Sequence, residues 1–146
     1  MISLLLARRL KHAGLVWRAG NYDFFAIPDR GMDDRIFVIS DLMANLDIFR
    51  GWPVVTFHGS AEWALDYILT TELVWLPTEE QLRQALIDKL SDQVQLLVNL
   101  SSDRRGYRCT IVFNGQERDF ESPDGSNAYG LALLYILEHS KKNNIE

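Results

Sequence analysis

The stretch Tyr107-Arg108-Cys109-Thr110-Ile111-Val112-Phe113-Asn114-Gly115-Gln116-Glu117-Arg118-Asp119-Phe120-Glu121 decides the fold class. Tyr107–Phe113 reads as a strand entered through a turn at Asp103–Gly106. Asn114-Gly115 is the strongest short hairpin signal in the chain, because both residues tolerate positive φ. Glu117–Glu121 returns as the partner strand. A polar loop at Ser122–Asn127 then leads into Ala128–Leu137, a helical run with no charged residue. Such a helix lacks a solvent face and has to be covered on all sides. Antiparallel strands gathered beside buried helices describe an α+β domain.

Outward from this hairpin the same pattern recurs. Residues 2–13 read as a helix with Leu5, Leu6 and Leu10 on one face and basic residues opposite, stopped by Gly14. Leu15-Val16-Trp17 and Tyr22–Ile27 read as strands around a turn at Gly20-Asn21, and Pro28 ends the second. Asp29–Arg35 is a charged loop, followed by a buried strand at Ile36–Ile39. Ser40 or Asp41 can cap a short helix through Phe49, ended by Gly51. Val54–Phe57 is the next strand, and Ser60 caps a helix over 61–71. Leu73–Leu76 is extended. Thr78-Glu79-Glu80-Gln81 is a capping box opening a helix over 79–90 that buries Leu82, Ala85, Leu86 and Leu90. Val94–Leu100 is a strand.

The expectation is one α+β domain over 1–140, with a mixed, mostly antiparallel sheet against several helices. Residues 141–146 form a frayed polar tail. Ala64-Leu65-Asp66-Tyr67-Ile68-Leu69 recurs as Ala132-Leu133-Leu134-Tyr135-Ile136-Leu137. Each copy follows a strand and a small polar loop, so the domain can be read as two pseudo-repeated strand–loop–helix halves. The separation is too long for a solenoid repeat. The two copies differ: Glu62, Asp66 and Thr70 give the first a polar stripe, and the second has none.

Composition bounds the function. A chain of 146 residues that is 47% hydrophobic can build its own core. A net charge of −5 argues against duplex binding, which needs a basic face. Weak nucleic-acid binding through Arg8, Arg9, Lys11, His12 and Arg18, or through Arg104, Arg105 and Arg108, is a further alternative. The single cysteine, Cys109, excludes an internal disulfide and a cysteine-based zinc site. It reads as a buried strand residue, and its isolation fits a reducing, cytoplasmic setting. No run approaches a membrane span. At the start the charges follow the apolar run instead of preceding it, unlike a signal peptide.

No catalytic set, metal site or cofactor motif assembles. His58-Gly59-Ser60-Ala61-Glu62 places His, Ser and Glu at a strand-to-helix junction, but the glycines of a nucleophile elbow are missing and Ser60 suits a cap. Asp29–Arg35 neutralises its own charges and lacks the alternating ligands of a calcium loop. Trp52 and Trp75 flank prolines at element edges, where an aromatic can line a groove. The first reading is therefore a non-enzymatic protein-binding or adaptor domain with a protein partner or a homodimer contact. The alternative is a small-molecule pocket at His58 and Glu62, rimmed by Asp124, Ser126 and Asn127 of the 122–127 loop.

Three further segments carry a resemblance: Phe37-Val38-Ile39-Ser40-Asp41, Glu62-Trp63-Ala64-Leu65-Asp66-Tyr67-Ile68 and Trp75-Leu76-Pro77-Thr78-Glu79-Glu80-Gln81-Leu82. Over about half the chain they resemble small bacterial proteins of cyanobacterial type, some loosely labelled as related to pilus assembly. The resemblance implies a bacterial, cytoplasmic setting and brings no site residues.

Overall fold

The computed structural model describes residues 1–40, 44–57 and 67–143. The chain divides into two compact units. Unit 1 comprises Met1–Leu15 and Pro77–Glu146, and unit 2 is the intervening Val16–Leu76. The class is α+β, as expected. The described strands fall into three separate three-stranded sheets, and every pairing is antiparallel.

Unit 1 packs α1 (Leu4–His12), α2 (Glu79–Leu90) and α3 (Gly125–Asn143) with the sheet β7 (Val98–Asp103), β8 (Gly106–Phe113) and β9 (Gln116–Ser122). Asn114 and Gly115 take φ of 51° and 77° and close the β8–β9 hairpin as expected. The period of two along β8 separates the faces. Cys109, Ile111 and Phe113 are buried on the α3 side. Arg108 and Thr110 face outward, opposite Glu121 and Asp119 respectively. Both outward pairs are bonded: Arg108 donates to Glu121 Oε1 at 2.6 and 3.0 Å, and Thr110 Oγ1 to Asp119 Oδ1 at 2.7 Å. β9 is a sheet edge, and its outward Glu117, Asp119 and Glu121 discourage edge-to-edge pairing.

α3 is the centre of unit 1. It packs against α1, α2 and all three strands of the sheet, which accounts for its charge-free middle. Ala128, Ala132, Leu133, Leu134, Ile136 and Leu137 are buried, and each large one contributes about 1.5–3 kcal/mol. α1 comes so close at Gly130 that a Cβ there would lie 2.8 Å from Leu6 Cδ2. The Thr78/Gln81 capping box is present in both directions, and Leu82, Leu86 and Leu90 are buried as the spacing requires; Ala85 is half-buried.

Unit 2 has two sheets. One is β2 (Phe37–Val38), β1 (Phe24–Ala26) and β6 (Val74–Trp75), in that order; the other is β3 (Ala44–Phe49), β4 (Trp52–Phe57) and β5 (Ile68–Leu69). Phe25, Ile27, Ile39, Val55, Ile68 and Leu73 form its core. Asp23 organises the turn before β1: its Oδ2 accepts from the Trp17 indole N–H and from the Gly20 amide, both at 2.9 Å.

Several expectations are corrected. Residues 44–49 form a strand, not the end of a helix. Their alternation matches Trp52–Phe57 in register from Ala44↔Phe57 to Phe49↔Trp52. Arg50 and Gly51, at φ of 51° and 83°, make the hairpin turn between them. The helix expected over 61–71 lies mostly outside the described residues. Where it is described, Ile68 and Leu69 pair with Val55 and Val54, and Thr70–Glu72 is a 3₁₀ turn. The second half of the first Ala-Leu-x-Tyr-Ile-Leu copy is therefore extended where its counterpart in α3 is helical. Leu15–Trp17 forms no strand, and Val94–Leu97 precedes β7. α3 starts at Gly125 and continues through Asn143, into the expected tail. Leu5 is 73% exposed, because Ile2, Leu6 and Leu10 at four-residue spacing take the inward face.

Candidate functional site

The exposed end of unit 2 is built by the β3–β4 hairpin. Paired residues share a face, so Leu46, Ile48, Pro53 and Val55 lie on one side and Phe49, Trp52 and Val54 on the other. Toward the core, Val55 is buried and Leu46 partly so. Toward the tip the same face runs out into solvent, leaving Ile48 73% exposed. On the opposite face Trp52 is 63% exposed, and Phe49 stacks on Tyr67 with centroids 4.5 Å apart. The Arg50 guanidinium covers the Phe49 ring at 5.1 Å.

Beside Ile48 the sheet face forms the floor of a groove of about 520 Å³. Trp17, Ala19, Leu46, Ile48 and Pro53 give it an apolar lining. Trp17 is held in place from behind. Its indole is tied to Asp23, and its ring stacks on Trp75 at 6.5 Å with planes 7° apart. Pro53 offers no N–H to the ladder, and the Ile48 amide donates to Asp47 Oδ1 at 2.7 Å. The end of β3 is therefore capped locally.

The charge is unevenly divided. Unit 2 holds four arginines, no lysine and nine aspartates and glutamates, and so carries the whole formal charge of −5. Unit 1 balances eleven basic residues against eleven acidic ones.

Of the residues expected to form a site, Trp52 stands at this exposed end. Trp75 is half-buried behind Trp17, and its Nε1 has no hydrogen-bond partner among the described residues. His58 and Glu62 lie outside the described residues. Asp124, Ser126 and Asn127 belong to unit 1, at the start of α3. Asp124 Oδ1 accepts from the Asn127 amide at 3.1 Å, as a helix cap does, and Oδ2 pairs with the Met1 ammonium at 3.1 Å. Asn127 Oδ1 takes the Ser3 amide at 2.9 Å, and Ser126 is buried. Partial burial pushes the Asp124 carboxyl up, but the Asn127 amide, the Met1 ammonium and the Ser126 amide outweigh it. The group is held below the usual carboxylate range.

A second, smaller cleft of about 280 Å³ lies at the open end of the unit 1 sheet, beside Arg105, Tyr107 and Ser122. Its Arg108 is already paired with Glu121. Cys109 is fully buried, and burial, aided by Asp119, pushes its thiol up to about 12. It is not a nucleophile at neutral pH. Among the described residues no group of three or more His, Cys, Asp or Glu is placed to hold a metal ion. No described helix is long and apolar enough to cross a membrane.

Sequence reasoning missed Leu46, Ile48 and Phe49 as site residues because it read 41–49 as a helix, and so had nothing to bring Trp17 and Pro53 together with them. The signal was present: alternation from Ala44 to Phe49, a turn containing Gly51, then a mostly apolar, β-branched run from Trp52 to Phe57. Compared with known proteins, the chain matches no family model, no curated protein and no solved structure.

Proposed function

We propose that the chain is a non-enzymatic protein-binding domain, and that the β3–β4 end of unit 2 carries its contact surface. The observation that supports this most is the exposure of Ile48 beside an apolar groove, with Trp52 exposed on the other face of the same hairpin. Contiguous exposed apolar surface on a globular protein commonly marks an interaction site. Trp17, in the groove lining, is of a residue type that dominates binding energy. Burying two apolar side chains of a partner contributes about 3–6 kcal/mol before the costs of association, the scale of a transient contact. The single buried thiol suits a reducing compartment, and we place the domain in the cytoplasm.

The test uses a short blocked peptide with two leucines flanked by serines, titrated against the whole protein. Amide shifts should concentrate at Leu46, Ile48 and the Trp17 indole. Ile48→Ser should weaken binding by about tenfold, the worth of one lost anchor, and leave the urea midpoint in place because the side chain is exposed. Absence of any shift at the groove up to millimolar peptide would remove this reading.

A further inference from the structure

We infer that the segment this groove receives is cationic: an apolar-anchored stretch of another protein, flanked by lysine or arginine. The inference rests on the protein-binding reading of the groove and adds the chemistry of the partner. Its ground is the division of charge. The apolar surface lies on the unit that holds all of the chain's −5, with no lysine and more than two carboxylates for each arginine. The groove lining itself is balanced, with Arg18 and Asp47. Nearby, Arg30 pairs with Glu72 at 3.7 Å, and Arg50 lies over Phe49. The acidic excess thus belongs to the unit as a whole and not to the groove lining, and it gives the unit that carries the apolar slot a net negative field. A field of this kind raises the encounter rate of oppositely charged partners and disfavours like-charged ones.

The same field discriminates among occupants. A second copy docking through this surface would bring two units of −5 together. A nucleic acid or an anionic membrane surface carries the same sign as the unit and is repelled. A lysine-flanked apolar segment is attracted by the unit and anchored by the groove, so both features favour it.

Three blocked peptides test this, each with two leucines, flanked by lysines, by serines or by glutamates, against the intact protein and Ile48→Ser. The lysine peptide should bind at least about tenfold more tightly than the glutamate peptide at low salt. The gap should close toward 1 M salt, where the screening length falls to about 3 Å. Ile48→Ser should weaken the lysine peptide. Equal affinities for the three peptides at low salt would overturn the cationic inference and leave the docking reading standing. Undiminished lysine-peptide binding to Ile48→Ser would also overturn it, since attraction would then act away from the groove. So would concentration-dependent dimerisation, in sedimentation at low salt, that Ile48→Ser abolishes. Silence of all three peptides at the groove would remove the docking reading, and the inference with it.

Discussion

Gly106 opens β8 at φ of 137°, and an added Cβ would lie 2.8 Å from the Ser122 carbonyl oxygen and 3.1 Å from Pro123 Cα. Both atoms are backbone, so neither can swing aside as a side chain end would. Gly106→Ala therefore carries two costs. A backbone conformation that L residues rarely adopt costs about 1–3 kcal/mol. Forcing β9 away from β8 costs about another 1–3 kcal/mol. Gly115 is the internal control. It lies in the same sheet at φ of 77°, with no atom within 4 Å of an added Cβ, so Gly115→Ala carries only the left-handed penalty of about 1–2 kcal/mol. Gly106→Ala should lower stability by about 4 kcal/mol and Gly115→Ala by about 1.5 kcal/mol. At about 2 kcal/mol per molar urea, their midpoints should differ by about 1 M. The probe should be far-UV circular dichroism, because all three described helices belong to unit 1, whereas the four tryptophans belong to unit 2. Equal midpoints for the two variants, or a loss under about 0.5 kcal/mol at Gly106, would refute the claim that β8 and β9 approach too closely there for a side chain.

Cys109 supplies an alkaline prediction. Its thiol is raised from 9.0 to about 12 in the fold, so the unfolded chain releases the proton first. The Cys109 contribution should be flat below pH 9, and stability should fall between 9 and 12, by about 4 kcal/mol at the upper end. Cys109→Ala should flatten that fall in pH-dependent urea melts, and native wild type should resist thiol reagents at pH 8. Asp124 has the opposite sign. Its depressed carboxyl contributes stability above the ordinary carboxylate range, lost as pH falls through the folded value, and Asp124→Ala should cost about 1 kcal/mol as a lost cap. The corrected face of α1 is tested by a pair: Leu5→Ala should change stability by less than about 0.5 kcal/mol and Leu6→Ala should cost about 2–5 kcal/mol, and equal effects would contradict the burial pattern.

What was legible in the sequence was what local chemistry decides. The Thr78/Gln81 box starts α2 through its own hydrogen bonds, and Asn114-Gly115 closes its hairpin because those residues tolerate positive φ. The charge-free middle of α3 announced burial on every side, and helices on two of those sides and the sheet on a third supply it. The site was less legible. Trp52 was named from its place beside Pro53, but its neighbours Ile48 and Phe49 were assigned to a helix. The Asp124–Asn127 loop looked like a rim for ligands, and its polar atoms hold α3 and the first residues of the chain instead.

The difference lies in the range of the forces. The sequence alone determined the α+β class, the α2 cap, the β8–β9 turn, the buried thiol and the acidic balance, since each depends on residues close in the chain or on composition. Tertiary pairing decided the rest. Ala44–Phe49 can form a helix or a strand by itself, and the Trp52–Phe57 partner made it a strand. Tyr67–Leu69 shares its residues with part of α3, yet pairing of Ile68 and Leu69 with β4 holds it extended. The β3–β4 hairpin carries Ile48 and Trp52 out of the core on its two faces and sets Ile48 beside a groove. Position in the fold, not residue type, makes them the candidate surface.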